Sequence, residues 1–481
     1  MRQNEVLSGF LWRFFERCGA QGVTLIVSIV LARLLDPEVY GTISLIVVFL
    51  TVLEVFVDSG LGNALIQKQN ADNRDFSSVF YFNILFSVVL YVIMFCASPW
   101  IARFYNNDSL ISYIRVLSLS LLISGVKNVQ VAYVSRNMLF KLFFKATIIG
   151  TITSGIVGIG MAYLGFGVWS LIAQNLTNLF MDTAILWFTV KWRPQGKFSL
   201  TRFKGLFSFA WKLLVTNLID TVYQKIRQLI IGKMYSPSDL AFYNQGQQLP
   251  YAIISNINAS IDSVLLPTVS SVQDDKDRVK ELTRKSISVS TYIITPLLLG
   301  MFAVSDTLVR VLLTEKWLPC VFYLRLACLS YVFMPINAAN LNAIKSLGLS
   351  SVVLKLEIIK KITGGLILIA TVFLGVKAIA LGLLLASVLG QIINTWPNRK
   401  ILSYGYFEQL KDILPGIVAS TIMAILVMLL GTISLPSIVL LILQVICGGV
   451  VYIVLSAAFK LEAFIYIKNI AVSFIRKRGK Q

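Results

Sequence analysis

The sequence contains no histidine. That removes imidazole metal ligands, histidine proton relays and Ser–His or Cys–His catalysis. Charge is sparse as well: only 14% of the 481 residues are charged, against 57% hydrophobic. A soluble chain of this length would expose far more charge. Acids are the scarcer sign, 23 against 43 Lys plus Arg, which leaves a net charge of +20. The five cysteines (Cys18, Cys96, Cys320, Cys328, Cys447) are scattered and form no C-x-x-C pair. They read as small hydrophobes rather than a disulfide or metal framework. Walker A, H-E-x-x-H and G-x-S-x-G patterns are missing, as is an acid pair on an external loop. No catalytic template fits, so the expectation is a non-enzyme with no metal and no cofactor.

What the chain does have is apolar runs. About 20 apolar residues cross a bilayer as a helix. Hydropathy places fourteen spans near 11–33, 40–62, 77–98, 109–135, 142–163, 167–190, 208–232, 241–269, 287–313, 319–346, 352–374, 377–398, 411–431 and 436–458. The fold class is therefore all-α, a polytopic membrane bundle of about fourteen transmembrane helices. The links between spans alternate between short, cation-poor ones (Tyr163 to Gly167) and longer basic ones (Lys191 to Lys204, Gln273 to Lys285). The positive-inside rule puts the basic links and both termini in the cytosol of an inner (plasma) membrane protein. The same rule explains the net charge without nucleic acid. Glu5, Arg13, Glu16 and Arg17 near the start, with no small-residue cleavage site, read as a retained first span.

The chain repeats itself. Ala32, Arg33 and Pro37 recur as Gly232, Lys233 and Pro237, 200 positions on. Tyr113-Ile114-Arg115 recurs as Tyr323-Leu324-Arg325, and Tyr163-Leu164-Gly165 as Phe373-Leu374-Gly375. This predicts two parallel six-helix repeats plus two C-terminal helices: an N-terminal lobe over 1–195, a C-terminal lobe over 196–400, two extra spans over 401–458 and a basic cytosolic tail over 459–481. Parallel repeats of this kind are a transporter architecture whose halves rock to give alternating access. Arg115 and Arg325, each beside a tyrosine near an outer helix end, read as structural anchors.

Charges inside spans must pair, face water or serve function, because each costs about 3 kcal/mol or more at mid-bilayer. Span 7 carries Asn217, Asp220, Gln224 and Arg227 on one helical face, with Lys225 alongside. A pair such as Asp220–Arg227 would explain two charges but not the run of amides, so a water-lined cavity is the better reading. Span 1 opens with Arg13, Glu16 and Arg17, followed by Gln21; a snorkelling helix end also accounts for these. Glu54 and Asp58 lie in span 2, Lys127 in span 4, Asn178 in span 6, Lys212 in span 7, and Asn256 and Asp262 in span 8. The candidate anion-binding cations are thus Arg13, Arg17, Lys127, Lys212, Lys225 and Arg227. Gln21, Asn217, Gln224, Asn178 and Asn256 suit sugar hydroxyls. Glu16, Glu54, Asp58, Asp220 and Asp262 are candidate coupling carboxylates.

The segments Ala32 to Gly41, Asp58 to Gln67, Leu265 to Gln273 and Glu315-Lys316-Trp317 resemble those of Wzx-type polysaccharide flippases. These form the polysaccharide transporter branch of the MOP exporter superfamily, and the resemblance runs along nearly the whole chain. It implies a two-lobed V-shaped bundle that flips undecaprenyl-pyrophosphate-linked oligosaccharide to the periplasmic leaflet, coupled to an ion gradient, often protons. The implied partners are that lipid-linked oligosaccharide, membrane lipids, and the polymerase and chain-length proteins of the same pathway. With no histidine, proton coupling would fall to carboxylates. A drug or cation antiporter of the same superfamily and a lipid-II flippase are the alternatives.

Overall fold

The computed structural model describes residues 19, 21–58, 60–196 and 198–469, apart from the side chains of 256, 259, 260 and 262–264. Among the described residues all regular structure is helical. The order is α1 (Gln21–Leu34), α2 (Pro37–Asp58), α3 (Leu61–Gln67), α4 (Asn73–Tyr105), α5 (Leu110–Leu117), α6 (Leu119–Arg136), α7 (Phe140–Tyr163), α8 (Val168–Thr189) and α9 (Leu200–Met234). It continues with α10 (Pro237–Ser270), α11 (Lys276–Leu312), α12 (Cys320–Tyr331), α13 (Met334–Ser346), α14 (Ser350–Thr371), α15 (Val376–Ile401), α16 (Tyr406–Leu430) and α17 (Ser437–Ala458). A hydrocarbon environment leaves the backbone no other partner than itself, so apolar runs of this length become helices.

Spans 2 to 14 each coincide with one helix or with a broken pair, and α1 is the described part of span 1. Span 2 is α2 plus α3, interrupted where Gly60 takes φ 65°. Span 4 is α5 plus α6, and span 10 is α12 plus α13. Nine spans among the described residues are apolar enough to cross a membrane on composition alone. Helices α1, α8, α9, α10 and α14 fall outside that set, and of these α9 and α14 are rich in charge. α9 carries Lys212, Asp220, Lys225 and Arg227; α14 carries Lys355, Glu357, Lys360 and Lys361.

The chain forms two compact units, Met1–Ala241 and Phe242–Gln481. In the first, α2 packs on α4, α5, α6, α8 and α9, and α7 runs along α8. Its apolar core gathers Leu61, Leu65, Phe76, Val79, Phe80, Trp192 and Leu206. Rings of Phe76, Phe80, Tyr133 and Trp192 lie 5.7–6.2 Å apart. This core includes Trp192 of the basic link 191–196, which is tied down by Ser77 Oγ donating to the Gln195 carbonyl (2.8 Å). Arg136 donates to the carbonyls of Leu65 (2.6 Å), Lys68 (2.5 Å) and Gln69 (2.7 Å), so it caps the end of α3.

In the second unit, α11 packs on α12, α13, α16 and α17, and α14 runs along α15. The pairing of α7 with α8 thus recurs in α14 with α15, and that of α4 with α5 and α6 in α11 with α12 and α13. So do special backbone positions of the first unit: Met138 and Gly348, 210 residues apart, both have positive φ (55° and 74°) and end α6 and α13 in the same way. The Leu139 N–H bonds to the Val134 carbonyl (3.0 Å), and the Leu349 N–H to the Ile344 carbonyl (3.2 Å). Asp72 and Asp275 both cap the helix that follows them. The repeated arginines are anchors in both units. Arg115 donates to Ser98 Oγ (3.1 Å) and lies 4.0 Å from the Phe95 ring. Arg325 pairs with Asp306 and lies 5.6 Å from the Phe302 ring.

Candidate substrate-binding face

The polar residues of the first unit come from four helices that pack together. Glu54 and Asp58 are exposed on the second half of α2. Lys127 of α6 pairs with Asp182 of α8, and Glu54 lies within its electrostatic reach. On its other side the Asp182 segment of α8 packs closely on α7 at Gly150, where a Cβ would lie 3.2 Å from the Asn178 carbonyl oxygen. One helical turn from Asp182, Asn178 donates to Ser154 Oγ across the same seam (3.2 Å).

Helix α9 supplies the rest. Lys212, Asn217 and Gln224 are exposed, Asp220 and Lys225 are half-buried, and Arg227 is 8% exposed with its guanidinium 5.4 Å from the Tyr223 ring. The break between α2 and α3 rests on this helix. A Cβ at Gly60 would meet the Ala210 carbonyl oxygen at 2.8 Å and Leu213 Cβ at 3.0 Å, on either side of Lys212. Exposed charges on membrane-spanning helices face water, not lipid, because a charge in hydrocarbon is too costly. Glu54, Asp58 and Lys212 are the candidate charges that this unit leaves exposed.

Of the other candidates, Gln21 is exposed near the start of α1. Arg13, Glu16 and Arg17 lie outside the described residues, and so do the side chains of Asn256 and Asp262 on α10. Lys127 is held by Asp182, so its charge is largely balanced within the protein. Lys212, Lys225 and Arg227 share α9 with one carboxylate, Asp220. Among the described residues there is no cluster of three or more His, Cys, Asp or Glu placed to hold a metal ion.

A second polar assembly, in the second unit, escapes a reading based on charges. Asn340 of α13 and Gln409 of α16 exchange two hydrogen bonds, both 2.9 Å, and Asn398 of α15 donates to Asn340 Oδ1 (2.6 Å). All three are at most 1% exposed. Beside them the Tyr404 hydroxyl donates to Asp412 (2.7 Å). Burial first, and then that bond to Asp412, pushes the Tyr404 phenol well above its usual range. Gln391, Asn394 and Asn398 follow i, i+3, i+7 spacing, one helical stripe, and that spacing was the available signal.

Comparison with known proteins shows the family. The family described as "Polysaccharide biosynthesis protein" matches residues 30–322. The chain is 24% identical to the lipopolysaccharide biosynthesis protein WzxC of Escherichia coli over 418 residues, 86% of this chain and 82% of that one. It is 26% identical to the teichuronic acid biosynthesis protein TuaB of Bacillus subtilis over 56% of each chain. It is 23% identical to the succinoglycan biosynthesis transport protein ExoT of Rhizobium meliloti over 64% of this chain and 62% of that one. The matched stretch thus spans under two thirds of the last two relatives. Among solved structures, the lipid II flippase MurJ superposes with a TM-score of 0.76 at 15% identity, over 94% of this chain and 98% of that one. An inward-facing multidrug resistance MATE transporter of the MOP superfamily superposes with a TM-score of 0.62 at 15% identity, over 82% and 98%.

Proposed function

Since this chain belongs to the polysaccharide biosynthesis protein family, among the MOP-superfamily membrane transporters, we propose that it flips a polyprenyl-pyrophosphate-linked oligosaccharide from the cytosolic to the periplasmic leaflet. What supports this reading is the set of exposed charges on α2 and α9, Glu54, Asp58 and Lys212, on helices that pack on each other, with the Lys127–Asp182 pair of α6 and α8. Such charges on spanning helices suit a polar cargo that must cross hydrocarbon.

The roles divide by chemistry. Lys212, Lys225 and Arg227 attract the pyrophosphate, since cations in a low-dielectric site hold phosphate oxygens with charge-assisted hydrogen bonds. Arg13 and Arg17 join them in this reading. Lys127, balanced by Asp182, positions the wall rather than the ligand. Asn178, Asn217, Gln224, Gln21 and Asn256 meet sugar hydroxyls, which take up both donors and acceptors. Glu54, Asp58, Asp220, Glu16 and Asp262 carry the coupling proton: protonation removes a negative charge beside the cations and so changes how strongly the site holds an anion. The carrier is undecaprenyl pyrophosphate, the termini are cytosolic, and polymerase and chain-length proteins act downstream.

Reconstitution tests this. Purified protein in liposomes should translocate a fluorescent polyprenyl-pyrophosphate oligosaccharide, and Lys225→Ala with Arg227→Ala should slow transport at least tenfold while the protein stays folded. Wild-type rates in that double variant would remove the cationic site. Transport that persists after both proton and sodium gradients are collapsed would remove the coupling. Transport of a cationic dye with no oligosaccharide flux would assign the chain to drug export instead.

A further inference from the structure

We propose that a cavity in the second unit, distinct from the face above, binds the phosphodiester headgroup of an anionic phospholipid. The cavity has a volume of about 660 Å³ and lies among α11, α16 and the segment after α17. Pockets that hold small ligands run from roughly 300 to 1,000 Å³, so a headgroup with its glycerol fits.

Its lining divides into a charged mouth and an apolar wall. Arg284, Lys285, Lys411 and Lys460 stand against Glu281, Asp412 and Glu462. Two of the three acids are already occupied. Asp412 is bound by Arg284 (2.5 Å) and Tyr404 (2.7 Å), and Glu281 by Arg278 (2.5 Å), which is not part of the lining. Lys285, Lys411 and Lys460 therefore face Glu462, a surplus of positive charge. The Lys285 ammonium is held 4.0 Å from the Tyr466 ring, which orients it without neutralising it.

The lining also includes Thr291, 2% exposed, whose hydroxyl has no hydrogen-bond partner among the described residues. Its helical neighbour Ser290 bonds back to the Ser286 carbonyl (2.5 Å); Thr291 does not. A buried hydroxyl without a partner is costly, and a ligand oxygen would satisfy it. Val289, Tyr292, Pro415 and Leu461 form the apolar wall. A soluble phosphate has no use for that wall, whereas the glycerol and first acyl carbons of a lipid do.

The chain's own backbone closes the site. Lys460 has φ 46°, an unusual left-handed conformation for a non-glycine residue. It turns the chain at the end of α17, with the Leu461 N–H on the Ser456 carbonyl (3.1 Å), so that helix 462–469 can line the cavity. The basic surroundings, Lys276 to Lys285 and Lys400 to Lys411, mark a membrane–water boundary where anionic headgroups concentrate.

The test uses the full-length protein in detergent, titrated with phosphatidylglycerol, phosphatidylcholine or inorganic phosphate. Thermal stabilisation and lipid retention in native mass spectrometry are the readouts. Phosphatidylglycerol should stabilise and be retained, and phosphatidylcholine should not. Lys285→Gln with Lys411→Gln should weaken retention roughly 25-fold, about fivefold per lysine near a lipid surface. Thr291→Val should weaken it further while Thr291→Ser restores it, and Lys377→Gln, away from the cavity, should change nothing. Equal retention of both lipids, or no loss in the double lysine variant, overturns the proposal. Stabilisation by inorganic phosphate matching that by phosphatidylglycerol overturns the lipid assignment.

Discussion

Gly41 and Pro237 meet backbone to backbone. A Cβ placed on Gly41 would lie 1.8 Å from the Pro237 carbonyl oxygen and 2.8 Å from its Cα. These two residues belong to the two copies of the repeated corner, at the starts of α2 and α10. The corner therefore serves as the surface on which its own duplicate rests. Gly232 plays a similar part, since a Cβ there would lie 2.2 Å from Leu45 Cδ2.

Gly41→Ala should therefore destabilise the protein, because a backbone oxygen cannot swing away as a side chain could. The expected loss is about 1–3 kcal/mol, the usual range for overpacking. Thermal unfolding of the detergent-purified protein measures it. Gly22→Ala is the control: nothing lies within 4 Å of a Cβ there, and no loss is expected.

The Lys127–Asp182 pair makes a different prediction. Both side chains are mostly shielded, 21% and 12% exposed, so removing one strands the other. Lys127→Met alone should cost up to about 3 kcal/mol, the lower end for breaking a buried pair, given the residual exposure. Lys127→Met combined with Asp182→Leu should recover much of that loss. A double-mutant cycle on unfolding midpoints reads the coupling. Additive losses would mean the pair contributes no coupling.

Asn340 and Gln409 should behave alike. Asn340→Leu removes the shortest hydrogen bonds of Gln409 and Asn398 and leaves them the longer ones to Thr395, Tyr404 and the backbone carbonyl of residue 340, at a cost of about 1–3 kcal/mol. Gln409→Leu added to it should cost less than the first change. If Asn340→Leu leaves the unfolding temperature unchanged, water reaches these amides.

Acid should act through Asp72. The slight burial of Asp72 works against ionisation, but the Asp75 N–H, the Arg202 guanidinium and the Arg74 N–H outweigh it and hold the carboxyl below its usual range. A depressed native pKa stabilises the fold at pH values above the unfolded pKa of about 4, and that contribution is lost as pH falls through the native value. Unfolding midpoints measured from pH 6 down to 3 should fall more steeply for the wild type than for Asp72→Asn, which keeps the cap but cannot titrate. Identical slopes would exclude Asp72 as the source.

The corner at Pro37 and its echo at Pro237 were legible because proline and a sharp drop in hydropathy coincide there, and because two copies reinforce each other. The charges on α9 were legible too, since a charge in an apolar run stands out. Helix breaks were not. Ser118, between α5 and α6, has φ −65° and ψ −13°, ordinary values that leave no compositional trace. The amide network was missed for another reason. Asn340, Asn398 and Gln409 are uncharged and lie far apart in sequence, and the hydropathy boundary at 411 excluded Gln409, although α16 begins at Tyr406. Hydropathy detects only the part of a helix inside the membrane, and α16 begins before its apolar run does.

The duplication also supplies a comparison that needs no second protein. Met138 and Gly348 sit at equivalent turns with the same hydrogen bonds, one on a side chain that resists positive φ and the other on the residue that adopts it freely. The second copy settled on the relaxed form and the first did not. Met138→Gly should let the first turn relax as well, a gain of up to about 1–2 kcal/mol, the cost of a left-handed L residue. Where the two halves of a repeated chain differ at the same corner, each half proposes an edit to the other.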